Sequence, residues 1–182
     1  RYIVMPVHCD NVDIWNQLTN EVGVALSHLE HFLIQTTDMD ATRDWWVDVL
    51  GLRVGPAPDF KFPVCWLYIG DTDVLHLTTG GADVSDNRKA YLGQQSTATE
   101  GSGVVDHIAF RASGLRDMIA NLQSHGVEFT QRMVNDQGLF QLFLLDPNGV
   151  KVELNFNNDE AVDIAPELMA SDLNSDKGSE TR

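Results

Sequence analysis

Apolar and polar residues alternate along two short stretches of the chain, and this alternation predicts two β-strands. In the first stretch Phe32 and Ile34 point to one face and His31 points to the other. The same pattern returns at 105–110, where His107 lies opposite the apolar positions. Each predicted strand therefore turns a histidine away from its apolar face.

A helical pattern follows each of these strands. After the first strand, Trp46, Val49 and Leu50 form an apolar stripe, Gly51 ends the run, and Asp40 is the predicted N-cap. The second helix has apolar residues at Leu115, Met118, Ile119 and Leu122 and ends at Gly126. The two histidines are 107 − 31 = 76 positions apart, so strand and helix together form an internal repeat.

The repeat continues into two further strands in each half, joined by turns at 70–73 and 146–149. The last strands carry His76 and Glu153, which are 153 − 76 = 77 positions apart and have apolar neighbours facing away from them. If a pseudo-twofold axis relates the halves, His31, His76, His107 and Glu153 converge. Three imidazoles and one carboxylate suit a divalent transition metal.

The pattern divides the chain into five segments. These are an N-terminal extension at 1–25, a first module at 26–79, a linker or possible lid at 80–102, a second module at 103–157 and an acidic tail at 158–182. As a lid, the linker would let Arg88 or Lys89 meet an anionic substrate. His28 falls on the opposite strand face from His31, and His125 falls at a helix C-terminus, so neither is counted as a ligand.

Composition narrows the classes of partner. The 182 residues are 43% hydrophobic and 21% charged, as in an ordinary globular protein, and the net charge is −15. Such an acidic chain is not expected to bind nucleic acid or an anionic membrane. Its two cysteines form no disulfide framework, and it has no long apolar run or secretory signal. These features predict a cytoplasmic protein that binds a small molecule.

The closing string Leu145-Asp146-Pro147-Asn148-Gly149-Val150-Lys151-Val152-Glu153-Leu154, together with Asp106-His107 and the repeated βαβββ pattern, resembles the vicinal oxygen chelate superfamily. That group includes glyoxalase I, extradiol dioxygenases, methylmalonyl-CoA epimerase, and fosfomycin and bleomycin resistance proteins. The resemblance implies an α+β fold of two tandem βαβββ modules that form a curved mixed sheet around a metal cleft. It implies a homodimer and one divalent ion (Fe, Mn, Ni, Co or Zn) held by His31, His76, His107 and Glu153.

Within this superfamily the residues favour glyoxalase-like lyase or isomerase chemistry, in which the metal chelates two neighbouring oxygens of the substrate. Glu153 and His76 are the predicted catalytic residues, and His76 is either a fourth ligand or an acid/base. An extradiol dioxygenase with Fe(II) is the alternative, although Phe143 stands where that branch carries a tyrosine. A non-catalytic small-molecule or antibiotic-binding protein is the second alternative. Candidate pocket walls, which could equally be core residues, are Trp66, Tyr68, Gln141 and Phe143.

Overall fold

A computed structural model describes residues 26–93 and 96–169. The chain divides into two compact units, Arg1–Glu30 and His31–Arg182. In the first unit, residues 26–30 carry no regular secondary structure, and Ser27 Oγ lies 2.9 Å from His28 Nδ1. The N-terminal extension predicted for 1–25 and the part of the tail from 170 onward lie outside the described residues. The predicted segment boundaries remain predictions.

The second unit begins with a four-stranded sheet and its covering helix. The elements are β1 (Phe32–Thr36), α1 (Met39–Asp48), β2 (Arg53–Gly55), β3 (Val64–Ile69) and β4 (Thr72–Thr79). The strand order is β1-β4-β3-β2, with β1 and β4 parallel and the other neighbours antiparallel. A parallel pair requires a crossover between its strands, and the segment from α1 to β3 supplies that crossover. We call this set of elements the first module.

A second module repeats the arrangement, after a short helix, α2 (Asp86–Leu92). Its elements are β5 (Ile108–Arg111), α3 (Leu115–Ser124), β6 (Phe129–Val134), β7 (Leu139–Leu145) and β8 (Lys151–Asn157), followed by the added strand β9 (Leu168–Met169). The order is β5-β8-β7-β6-β9, again with a parallel first pair. The predicted α+β class is confirmed, with the described strands in two mixed sheets. The strand β9, which pairs with β6, was not predicted from the acidic tail.

The two modules share one apolar core. Trp46 on α1 is fully buried, and its ring lies 6.1 Å from the ring of Phe110 on β5. Its indole N–H donates to Asp146 Oδ2 at 3.2 Å, so the buried carboxylate before β8 is fixed by the helix of the other module. The predicted N-cap of α1 was wrong by two residues. Asp38, and not Asp40, accepts the Ala41 N–H, because Asp38 has the extended backbone of a cap whereas Asp40 is already helical.

A β-bulge interrupts β4. Leu67 pairs with Leu75 and Tyr68 pairs with Asp73, so Val74 between them has no partner on β3. Side chains in a regular strand alternate between the two faces of the sheet, and a bulge shifts this alternation by one residue. Asp73 and His76 are three positions apart, yet the bulge places both on one face. The corresponding pair β7 and β8 in the second module runs without a register shift.

The segment predicted as a linker or lid contains α2. Ser85 caps this helix by accepting the Arg88 N–H at 3.3 Å, and Gly93 follows it with φ 72°. The helix has 7 residues, about two turns, and is too short to give a clear periodic pattern in the sequence. None of the helices in the described ranges has the length and apolar character needed to cross a bilayer.

Candidate metal centre

The two repeated histidines occupy equivalent places at the start of each sheet. His31 immediately precedes β1 and His107 immediately precedes β5, so both lie just outside the strands in which the sequence pattern placed them. Strand register makes the last strands equivalent as well. Leu33 pairs with His76 in the first module, and Ala109 pairs with Glu153 in the second. The predicted ligands therefore lie at matching positions in the two modules.

The first module forms a group of three possible metal ligands, His31, Asp73 and His76, which we call the first ligand group. One ligand atom from each lies within 4.8 Å of the others. His76 Nε2 is 2.8 Å from Asp73 Oδ2, and this hydrogen bond lowers the pKa of the Asp73 carboxyl. His76 is also stacked between two rings, with centroids 3.8 Å from His31 and 3.9 Å from Trp66. Stacking fixes the imidazole plane of His76 in the wall of the cleft.

The second module forms a different group around a buried carboxylate. Glu153 is 7% exposed, and its Oε2 lies 3.0 Å from His107 Nε2. Its Oε1 accepts from Gln141 Nε2 at 2.8 Å and from Asn155 Nδ2 at 2.6 Å. We call His107 and Glu153 the second ligand group. Two amide donors orient the Glu153 carboxylate and bring no cationic charge to it.

The surroundings of His107 suit a cation. Its Nδ1 lies 2.8 Å from Asp106 Oδ1, so both ring nitrogens face carboxylate oxygens. Ionised carboxylates only accept hydrogen bonds, so each contact needs a proton or a metal ion at the ring nitrogen. With Nδ1–H donated to Asp106, the lone pair of Nε2 is available to a metal beside Glu153, as in carboxylate–histidine–metal triads. The donor atoms present thus fit a divalent transition ion.

Asp106 is held from two sides. It pairs with His107 and also with Lys151 Nζ, which is 2.5 Å from Oδ1. The hydrogen bond from His107 first, and that from Lys151 second, lower the pKa of the Asp106 carboxyl. Lys151 thus neutralises Asp106, while Glu153 faces the imidazole of His107.

The two ligand groups remain separate. Among the described residues, only the first ligand group brings three or more possible ligand atoms within 4.8 Å of one another, and neither His107 nor Glu153 belongs to it. Atoms bound to one ion must lie within about 4–4.5 Å of each other at metal–ligand distances near 2.1 Å. As they stand in this chain, the four predicted ligands therefore do not surround one ion.

The predicted pocket residues are distributed over both modules. Trp66 helps to line a cavity of about 260 Å³, whose walls include Phe60, Phe62, Trp66, Tyr91, His31 and His76, and which we call the aromatic cavity. Gln141 donates to Glu153, and the ring of Phe143 lies perpendicular to that of His107 with ring centroids 5.9 Å apart. Tyr68 is not part of the aromatic cavity. Its hydroxyl donates to the Pro56 carbonyl at 2.7 Å, and its ring packs against Gly55.

Two participants were absent from the sequence-based set. Asp73 was missed because regular strand alternation would place it on the opposite face from His76. The unpaired Val74 changes this alternation and puts Asp73 on the same face as His76. Asn155 was likewise not among the predicted site residues. Its spacing of two from Glu153 on one strand is the sequence signal that pairs their side chains on one face.

The model of the Glyoxalase/Bleomycin resistance protein/Dioxygenase superfamily matches residues 28–154, which include all four predicted ligands. The chain belongs to this superfamily. The relationship inferred from the repeat and the closing string is thereby confirmed. No curated protein sequence matches the chain.

Solved structures similar to this superfamily member share its fold at low sequence identity. The fosfomycin resistance protein FosX from Listeria monocytogenes is 14% identical, with TM-score 0.54 over 75% of this chain and 98% of its own. TnmS3, an antibiotic-binding protein from Streptomyces sp. CB03234, is 18% identical, with TM-score 0.51 over 74% and 98%. A glyoxalase/bleomycin resistance protein/dioxygenase from Nocardioides is 16% identical, with TM-score 0.56 over 79% and 92%. At these identities the likeness shows the fold alone.

Proposed function

We propose that this protein is a divalent-metal-dependent enzyme of the lyase or isomerase type found in glyoxalases. The observation that carries the proposal is the buried Glu153 carboxylate, whose Oε2 faces His107 Nε2 at 3.0 Å and whose Oε1 accepts from two amide groups. Among the described residues, the His107 imidazole is the one group in contact with Glu153 that can carry a positive charge, and a metal ion between them would compensate the buried carboxylate. The metal would bind and polarise two neighbouring oxygens of a small substrate.

Other residues of the chain would orient the metal ligands, transfer protons and exclude water. Asp106 orients His107 through Nδ1, while Gln141 and Asn155 orient Glu153 through Oε1. Glu153 Oε2 and the His76 imidazole are the groups able to accept or return a proton at the substrate carbon. Phe143, whose ring lies perpendicular to the His107 ring, would exclude water from that side. A phenylalanine supplies no hydroxyl for catechol chemistry, which favours the lyase or isomerase reading.

We further propose that the site is completed in a homodimer, with the first ligand group of one copy meeting the second group of the other. Support comes from the separation of the two groups within the described chain. The first group offers three possible ligands and the second offers two, so the two groups together supply enough donors for a four-coordinate ion. A twofold dimer would produce two such sites by symmetry.

An extradiol dioxygenase is the second candidate, and the first ligand group favours it. Two histidines and one carboxylate within 4.8 Å resemble the facial triad of Fe(II) oxygenases. In that case Asp73 would replace Glu153 as the carboxylate ligand. A non-catalytic ligand-binding protein is the third candidate, and the fold shared with the antibiotic-binding TnmS3 supports it.

One experiment separates the three candidates. The purified protein is stripped of metal, reloaded with Fe(II) or Ni(II), and assayed on hemithioacetals and on catechols with and without O₂. Turnover of a hemithioacetal with Ni(II) in the absence of O₂ is expected. Catechol turnover that requires both Fe(II) and O₂ would establish the dioxygenase instead, and failure to bind any divalent transition ion would leave the binding protein.

Matched histidine variants show whether the right residues hold the metal. His31→Ala and His107→Ala should abolish tight metal binding without unfolding the protein. His125→Ala, at the C-cap of α3, and His28→Ala should leave metal binding intact. Loss of metal in His28→Ala would contradict the assignment of His31 to the cleft.

A further inference from the structure

The helix α2, which supplies part of the wall of the aromatic cavity, carries a buried arginine. Arg88 is 3% exposed, and within the described part of the chain its Nε has no hydrogen-bond partner. Its two terminal nitrogens reach the side-chain oxygen of Gln35 and, at 3.4 Å, the carbonyl of Gly93. Among the described residues, no carboxylate forms an ion pair with it. A guanidinium that is removed from water and faces only neutral acceptors is an unfavourable arrangement unless something else pairs with it.

The position of Arg88 connects it to the cavity. Tyr91 and Leu92, three and four residues after Arg88, share its face of α2 and both line the aromatic cavity. Its acceptor Gln35 lies two residues beyond Leu33, another wall of the cavity, on the same face of β1. Arg88 is not itself a lining residue, and its guanidinium lies where α2 meets β1, two of the elements that form the cavity wall.

The cavity walls select a flat apolar group. Phe60 lies 4.8 Å from Tyr91 and 5.5 Å from Phe62, measured between ring centroids, and Trp66 lies opposite with His76 stacked on it. Rings at these separations favour an aromatic guest that stacks or meets them edge to face. The volume of about 260 Å³ is smaller than that of a drug-sized pocket and matches one substituted ring.

We propose that the aromatic cavity binds a small aromatic oxyanion, with its ring among Phe60, Trp66 and Tyr91 and its carboxylate or phosphonate on Arg88. The guanidinium fork matches such groups through two parallel hydrogen bonds, and the unpaired Nε is one of the donors it offers. The anion would take over the acceptor place that Gln35 holds. This inference names the substrate class of the proposed enzyme and rests on that function for its biological meaning, but the binding itself requires no metal.

Binding of phenylphosphonate, benzoate, benzyl alcohol and inorganic phosphate to the metal-free, full-length protein tests the proposal by calorimetry. Phenylphosphonate is expected to bind at least about tenfold more tightly than benzyl alcohol, because it gains a charge-assisted contact. Inorganic phosphate should bind more weakly than phenylphosphonate because it lacks the ring. Equal affinity for phenylphosphonate and benzyl alcohol, or for phenylphosphonate and phosphate, would overturn the proposal. EDTA is added to every sample to keep the protein metal-free. The outcomes therefore do not depend on whether the proposed ligands bind a metal ion.

Variants assign the anion contact to one side chain. Arg88→Leu should remove the preference for phenylphosphonate over benzyl alcohol, whereas Lys89→Leu, which removes an exposed charge one residue along the same helix, should not. An unchanged preference in Arg88→Leu, or an equal loss in Lys89→Leu, would refute the role of Arg88.

A third variant, Gln35→Ala, tests the proposal even if Arg88→Leu fails to fold. Gln35→Ala deletes the neutral acceptor that competes for the guanidinium. The proposal expects phenylphosphonate to bind Gln35→Ala at least as tightly as wild type. If Arg88 served only to fasten α2 to β1, Gln35→Ala would weaken binding of benzyl alcohol and phenylphosphonate alike, and that result would overturn the proposal.

Discussion

Mixing two inactive variants should restore metal sites if the ligand groups of two copies meet. His31→Ala destroys the first ligand group and Glu153→Ala destroys the second, and each alone should weaken metal binding more than about 100-fold, since even second-shell losses cost 10–100-fold. In a mixed dimer one site receives both defects. The other site combines the intact first group of one copy with the intact second group of its partner.

The expected size of the effect follows from this pairing. After dissociation and random reassociation of equal amounts, about half of the dimers are mixed, so about one quarter of all sites are intact. Both variants should remain folded. Glu153→Ala removes one acceptor from Gln141 and one from Asn155, which retain their mutual contact at 3.0 Å. The Glu153→Ala substitution should therefore lower the free energy of unfolding by about 1–2 kcal/mol, well below the total of about 5–15 kcal/mol that is usual for a domain.

Metal content of the mixture, measured by elemental analysis after gel filtration, is the readout. The control is a mixture of His31→Ala with His76→Ala, which damage the same group in both copies and should restore nothing. If the His31→Ala and Glu153→Ala mixture stays metal-free after its subunits have demonstrably exchanged, the site is built within one chain and the reasoning from separate ligand groups is refuted.

Three further predictions concern single side chains. Trp46→Phe should lower the free energy of unfolding in urea by about 2 kcal/mol, because it leaves a gap in the core and removes the donor to Asp146. Trp45→Phe, at a half-buried position, should lower it by less. Asp106→Asn should weaken metal binding by about 10–100-fold, with the exposed Asp117→Asn as an unaffected control. Because the pKa of Asp106 is lowered on folding, its contribution to stability is present above about pH 3.9 and disappears as the pH falls below that, so wild type and Asp106→Asn should converge in acid melts. Burial raises the pKa of the Cys65 thiol, so iodoacetamide should label Cys65 more slowly in native protein than in urea, as read by peptide mass spectrometry; equal rates would contradict its burial.

Much of the fold could be predicted because its signals are local and repeated. The alternation around Phe32 and Ile34 and the stripe containing Trp46 each specify an element, and their recurrence about 76 positions later specifies the second module. The superfamily could also be inferred from the sequence, because Asp106-His107 and the turn before Glu153 are contiguous motifs. These features depend on neighbours within a few residues, which a sequence displays directly.

Other features depend on contacts between distant residues and could not be predicted in the same way. The helix α2 is stabilised by Arg88 meeting Gln35, 53 positions earlier, and not by its own periodicity. Whether four ligands surround one ion is decided by the placement of two whole modules, which no alternation pattern encodes. The role of Tyr68 also required the structure, because the strand pattern shows that it leaves the core but not that it packs on Gly55.

The unpaired Val74 shifts the correspondence between the two halves of the repeat by one residue. Before it in the strand, equivalent positions must be matched by strand pairing and not by a constant spacing. Tyr68 pairs with Asp73 as Leu145 pairs with Lys151, so Asp73 and Lys151 are the equivalent residues. The same place beside the cleft therefore carries a carboxylate in the first module and an ammonium group in the second. An alignment that ignores the extra residue would compare the wrong side chains, and substitution at this one place is a route by which relatives with this architecture can gain or lose a metal-binding group.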